Sequence, residues 1–290
     1  MHIGLLLTEK VSLLIQHCFT VVHIVSLIKK VMKKTSGIWI CALIFAGLAT
    51  MANKCEKIEP EEEEIPTITD IEGNEYEIVE IGTQWWMAEN LKVTKYNNGD
   101  LIGTTVPATL DLSDQDWGEG TPKYQWAYDG NEAYVELYGR LYTWYAVTDP
   151  RGVCPTGWHV PSRNEWITLQ DHLIAAGYNF DGTTTGNKIA KAMSSLTNWN
   201  SSSTEGAVGN TDYPAKRNAS GFRALPAGIR WTDGEFDGLG ISGNWFTSTN
   251  VYDDHDGIFW GFVIFYSSYG LGFGTCNHEP DAISVRCVKN

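Results

Sequence analysis

Polar and apolar positions change rhythm along this chain, and each change marks an element. Residues 11–28 (VSLLIQHCFTVVHIVSLI) are apolar but interrupted by Gln16, His17 and His23, which makes them a marginal membrane span. A second apolar run, Ile38 to Leu48, follows Met32 and the pair Lys33 and Lys34, the order of a secretory leader. Residues 32–54 are therefore expected to be a leader. Residues 1–31 read as a start assigned too early, with a two-segment membrane anchor as the alternative. Residues 55–69 read as a disordered tether, because Glu61 to Glu64 repel one another and offer no apolar face to bury.

From Asp70 the spacing shortens to strands and turns, and one domain is expected over residues 70–290. DIEGNEYEIVEIGTQWWMAENL has turn signals at Gly73, Asn74 and Gly82 with alternation between them, which predicts a hairpin capping the domain. Residues 97–122 are polar and turn-rich and predict a long surface excursion. Ser162 and Glu165 form a capping box ahead of Trp166, Leu169 and Leu173, which recur on one face until Gly177, so a helix is expected here. A shorter helix over about 187–196 would place Ile189, Met193 and Leu196 on one side. Beyond residue 220 strands return, and IFWGFVIFY, apolar at successive positions, predicts a central strand covered on both faces. These elements suit a loop-rich α+β or β domain. No internal repeat is present.

Composition narrows the function classes. Only Glu9 among the 35 acidic residues precedes Cys55, whereas six of the 21 basic residues do, so the domain itself is strongly acidic. Such a surface repels phosphate backbones, and no basic stripe interleaved with aromatics offsets it, which excludes nucleic acid as a partner. The 12 Trp and 29 Gly suit a loop-rich domain packed on large flat rings.

Several motifs in order resemble the Fibrobacter succinogenes major paralogous domain: GNEYEIVEIGTQWWMAENL, LYGRLYTWYAV, CPTGWHVPSRNEW, GFRALPAG, NWFTST and SVRCV. Together they span about Asp70 to Lys289. The GWHVPSRNEW and terminal RC elements are also similar to C-type lectin-like domains and to the fold of formylglycine-generating enzymes. The resemblance implies a C-type lectin-like architecture of class α+β, with two short helices, a twisted and mostly antiparallel sheet and long irregular loops, and a bacterial envelope lipoprotein without an assigned reaction. Phe246 departs from it, standing where the family usually has a second Trp, as does the GTCNHEPDAI segment before SVRC. Cys55 lies where the lipid-modified cysteine of a lipoprotein leader would lie, although Lys54 replaces the small residue that processing favours. In Bacteroidota-like lipoproteins an acidic run after that cysteine resembles a surface-export signal, so the implied location is the outer membrane, facing the exterior.

Cys18 and Cys41 fall in the leader region, which leaves Cys154, Cys276 and Cys287 in the domain, an odd number with one thiol over. By resemblance to lectin-like domains, Cys154 is expected to pair with Cys287 and Cys276 to remain free.

Candidate sites are few. Asp253, Asp254 and Asp256 crowd around His255 in a Gly-bounded loop and offer hard oxygen ligands, a weak calcium candidate without EF-hand spacing. The expectation is no cofactor, with Ca2+ the one metal considered. Glu279-Pro280-Asp281 looks like a sugar-binding triplet of calcium-dependent lectins but lies just before the last strand and lacks its Trp-Asn-Asp partner. Cys276 and Cys287 imitate the copper pair of formylglycine-generating enzymes at wider spacing, and His159 in the GWHVP turn reads as structural. No catalytic residue is assigned. Trp199, Trp231, Trp245, Tyr252 and Trp260 fall in or beside the loop region. Of these, Trp231 and Tyr252 are the candidate ligand-binding aromatics, whereas Trp158, Trp166 and Trp245 are expected to pack. The resulting reading is an envelope-anchored binding or adhesion module for a glycan or protein, not an enzyme. The alternative is a structural surface lipoprotein, with a formylglycine-generating-enzyme-like oxidase third.

Overall fold

The computed structural model describes residues 65–114, 121–250, 259–276 and 281–290, with backbone alone at 259, 260 and 276. Three small sheets share the chain. The first begins with β1 (Thr67–Thr69), β2 (Glu75–Ile81) and β3 (Gln84–Met87). The turn between β1 and β2 is organised by Asp70, whose carboxylate accepts from the amides of Glu72 and Asn74 at 2.8 and 3.0 Å and from the Tyr76 hydroxyl at 2.6 Å. Instead of capping the domain, the hairpin lies inside the sheet. There β3 pairs with the terminal strand β13 (Val288–Lys289), which in turn pairs with β6 (Trp158–His159). Trp86 and Met87 are consequently buried.

The second sheet has the order β11 (Gly272–Cys276), β10 (Phe259–Phe265), β9 (Ser242–Asn250). The third runs β4 (Gln125–Trp126), β5 (Leu141–Thr143), β12 (Ala282–Ile283), β7 (Ala227–Arg230), β8 (Phe236–Leu239). Every strand pairing within the sheets is antiparallel. Among the described residues four α-helices accompany the sheets: α1 (Val135–Tyr138), α2 (Trp144–Val147), α3 (Arg163–Ala175) and α4 (Ala190–Met193). The class is α+β and mostly sheet, with one α-helix longer than a turn among the described residues. No described helix is long and apolar enough to cross a membrane.

The capping box of α3 forms: Ser162 Oγ accepts from the Glu165 amide at 3.3 Å, and the Ser162 amide donates to Glu165 Oε2 at 2.7 Å. Gly177, at φ +78°, lets the chain turn away after the last helical turn, a conformation L side chains avoid. The buried face of α3 carries Trp166, Leu169 and Leu173. Trp166 sits at the centre of an aromatic core, stacked on Phe262 at 4.9 Å and 14°, with Trp86 at 4.9 Å, Phe222 at 5.6 Å and Trp245 at 6.0 Å. A second core lies under Tyr76, Tyr142, Phe246 and the disulfide between Cys154 and Cys287, whose Cα atoms are 5.9 Å apart. That bond is the pair the resemblance implies, and it ties the chain entering α3 to the chain entering β13.

Three expectations are corrected. The second helix is one turn long, and Leu196 is 69% exposed instead of sharing a buried face with Ile189 and Met193. The backbone becomes extended at Ser194, which bridges to Ala224 instead of continuing the helix. Strand β10 is central in its sheet but not covered evenly: Phe262 and Ile264 are buried on one face, while along the other Gly261 is buried, Val263 half-buried and Phe265 exposed. Nothing in an apolar run distinguishes a two-faced strand from one whose outer face simply carries apolar residues. Residues 97–114 are also strapped down more than a surface excursion would be, because Ile102 and Leu112 are buried. Arg230 fastens this segment, donating to the carbonyls of Ala108 at 3.0 Å and Leu110 at 2.6 Å.

Candidate functional site

The motif residues meet at one buried side chain. Asn90, directly after β3, donates to the Tyr138 carbonyl at 2.8 Å and to Ser284 Oγ at 3.3 Å. Its carbonyl oxygen accepts from Trp245 Nε1 at 3.0 Å and from Arg286 Nε at 2.8 Å. Both amide hydrogens and both acceptor positions are therefore used. The Arg286 guanidinium spreads its remaining N–H groups over the carbonyls of Met87, Phe222 and Arg223, and lies 4.5 Å from the Phe222 ring. Burial pushes its pKa down to about 9, against the pull of Glu89. The charge is retained at neutral pH because carbonyl oxygens replace the water it has lost.

An open cleft of about 500 Å³ lies beside this hub. Three of its lining residues, Glu89, Glu136 and Arg223, belong to a chain of alternating charges. Glu136 and Glu89 each lie 3.2 Å from Lys92 Nζ, Glu89 lies 3.9 Å from Arg223, and Arg223 pairs with Glu77. Lys92 is almost wholly enclosed, whereas Glu136 is nearly free in solvent, so the chain runs from the interior to the surface. The segment Ser195 to Asn198 also lines the cleft, with Leu225 and Asn218. Leu137 and Leu196 both expose their side chains there. Asn198, Asn218 and Arg223 all have positive φ, at 74°, 53° and 53°. Left-handed backbone in an arginine is uncommon and persists only where its surroundings hold it. Here the Arg223 amide donates to Asn218 Oδ1 at 2.9 Å and its carbonyl accepts from Arg286.

The profile of the Fibrobacter succinogenes major domain matches residues 79–289. The chain belongs to that family. No curated protein and no solved structure matches it. In this Fibrobacter succinogenes major domain the shared motifs supply the Asn90 hub and the aromatic core, so their side chains are largely spent on packing.

The residues singled out from sequence have different fates. Trp231 is 41% exposed, in a turn closed by its amide to the Glu235 carbonyl at 2.8 Å. Trp166 and Trp245 are fully buried, and Trp158 and Trp199 are packed in part against the core. Tyr252, Asp253, Asp254 and Asp256 lie outside the described residues, as do Cys55, His255, Glu279 and Pro280, and as do the side chains of Trp260 and Cys276. Asp281 is buried and accepts from the amide and hydroxyl of Thr232 at 2.9 and 2.8 Å, a structural engagement. His159 bridges Asn290 Oδ1 at 2.6 Å and Glu165 Oε1 at 2.8 Å, which joins the α3 cap to the chain beyond β13. Among the described residues, no three His, Cys, Asp or Glu side chains are grouped to hold a metal ion.

Sequence reasoning missed the cleft, with Glu89, Glu136, Leu137, Leu196 and Arg223. The available signal was a charge inside an apolar motif, Arg223 in GFRALPAG and Arg286 in SVRCV, of which Arg286 is fully buried and Arg223 lines the cleft.

Proposed function

We propose that this protein is an envelope-anchored, surface-exposed binding or adhesion module whose ligand is a glycan or a protein. The observation that carries the reading is the cleft. Its rim exposes Leu137 and Leu196 over an ion-pair wall, and three of its lining residues are held in backbone conformations that cluster at ligand clamps. The anchor is Cys55, and the domain faces the exterior. A C-type lectin-like fold is part of the proposal, supported by the disulfide that ties the chain entering α3 to the final strand. The module works without catalysis and without a resident cofactor.

A structural surface lipoprotein is the second reading, favoured by how completely the motif residues are used in packing. Arrays of glycans and of extracellular proteins, probed with the full chain and with Leu196→Asp, separate the two. A module binds a subset of spots and loses at least tenfold in affinity when Leu196 becomes charged. Binding to nothing, or binding indifferent to Leu196, sinks the cleft as the site.

A further inference from the structure

Away from the cleft, three loops distant in sequence each bring one aromatic ring to the same place. Phe180 follows α3, Tyr213 lies between α4 and β7, and Tyr269 is in the turn between β10 and β11. The Phe180 ring centroid is 5.0 Å from that of Tyr213 and 6.0 Å from that of Tyr269, tilted by 56° and 59°. Phe180 is half-buried, while Tyr213 and Tyr269 are 37% and 46% exposed. The trio thus has an apolar centre flanked by two rings open to solvent.

Each loop is held by a polar side chain, two of them fully buried. Asn179, fully buried, donates to the carbonyls of Thr183, Thr185 and Gly186 at 2.8 to 3.1 Å and accepts from the Lys188 amide at 2.9 Å, which fixes the loop carrying Phe180. Lys191, equally buried, reaches the carbonyls of Asn210 and Asp212 at 2.7 and 2.6 Å and the Asp212 carboxylate, directly before Tyr213. Asn187 binds the amide and carbonyl of Leu271 at 3.0 and 2.7 Å, two residues past Tyr269, whose own carbonyl accepts from the Ala190 amide at 3.0 Å. Gly206 lies under the Phe180 ring, where a Cβ would come within 2.3 Å, so the ring is seated closely against backbone. Tyr213 is itself held at φ +47°. A folded core does not require the backbone beneath two exposed tyrosines to be pinned in this way, but a binding surface gains because little backbone freedom is lost on contact.

We propose that Phe180, Tyr213 and Tyr269 form a platform for a neutral glycan of pyranose units. An aromatic plane takes the C–H face of a pyranose while the hydroxyl edge keeps its hydrogen bonds, and groups for that edge surround the rings. Glu205 accepts from the Tyr213 hydroxyl at 2.7 Å and has a second carboxylate oxygen to offer, and Lys188 pairs with Asp181 beside Phe180. These charges sum to one negative, on a domain that is acidic throughout, which disfavours uronic or sialic acid polymers. The proposal rests on the domain being a binding module but not on the cleft being its site.

The test is affinity electrophoresis of the full chain in gels containing hydroxyethylcellulose, galactomannan, or polygalacturonate as the anionic contrast. Retardation is expected in at least one neutral polysaccharide and not in polygalacturonate. Tyr213→Ala and Tyr269→Ala should each weaken it at least fivefold and the double variant abolish it. Tyr269→Phe should retain it, and Leu101→Ala, an exposed residue elsewhere, should not change it. Unchanged thermal unfolding of the variants establishes that they fold. No retardation in either neutral gel, equal retardation in polygalacturonate, or retention by the folded double variant would each overturn the platform. If those failures occur while Leu196-dependent binding persists on the arrays, the platform is wrong and the module reading stands.

Discussion

Asn90 is the residue on which the most is balanced. Replacing it with alanine leaves the Trp245 indole N–H, one Arg286 N–H, the Tyr138 carbonyl and the Ser284 hydroxyl without their shared partner in a site enclosed on every side. Stranding a buried charged donor together with neutral groups typically costs about 3–5 kcal/mol, more than truncating an aliphatic side chain of that size. Urea unfolding of Asn90→Ala should show a loss in that range, and a loss under about 1 kcal/mol would mean that the network is dispensable. Asp149 makes a pH prediction. Arg151 and Lys123 hold its carboxyl well below the ordinary carboxylate value of 3.8, the Arg151 hydrogen bonds contributing most. With the folded pKa depressed, the unfolded chain binds the proton first as pH falls, so the stabilisation is complete above about 4 and is lost through the acid range below it. Thermal midpoints from pH 6 down to 2 should drop more shallowly in Asp149→Asn than in the parent. Equal slopes would remove Asp149 from the acid response.

At the scale of elements, the two most informative joins are the α3 cap and the disulfide. Ser162→Ala breaks the capping box, which should cost about 1 kcal/mol. Losing the covalent tie of Cys154 to Cys287, 133 residues apart, frees an unfolded chain that the bond would restrict by up to about 5 kcal/mol in the chain-entropy picture. Cys154→Ser should therefore lower the urea midpoint far more than Ser162→Ala, and the reverse order would show that the bond restricts the unfolded state little. Both features were legible in the chain, the cap because Ser162, Glu165 and the apolar spacing after them are local, the disulfide only through the family resemblance. Strands of two residues such as β4, β6, β12 and β13 carry no periodicity to read, and their partners are remote. Leu196 fitted a helical face but is turned outward by a bridge from Ser194 to Ala224, a tertiary contact that no window around it contains. The cleft and the aromatic trio were hidden for the same reason. Arg223, Glu89 and Glu136, like Phe180, Tyr213 and Tyr269, become neighbours only once loops far apart in sequence are folded together.

At the scale of the whole molecule the question is how the domain is presented. Residues 64–290 form a single compact unit, and the sequence places the run Glu61 to Glu64 at its near edge and Cys55 before that. A protease that cuts after glutamate should find this run before it finds the sheets. Treating intact producing cells with it should release into the medium a fragment beginning near residue 65, with the Cys154 to Cys287 bond intact and the thermal midpoint of the parent domain. Release from intact cells requires three things at once: a domain facing outward, an attachment upstream of the cut, and a unit that survives cleavage. Each can fail separately. A fragment obtained only after lysis places the domain inside the envelope. Parent protein already free in the medium before any cleavage argues against the lipid anchor. Digestion of the fragment along with the tether argues against an independently stable unit. The expected result is a released, disulfide-bonded fragment from the parent cells and protein free in the medium from Cys55→Ala, because under the proposed anchoring the attachment is made through Cys55.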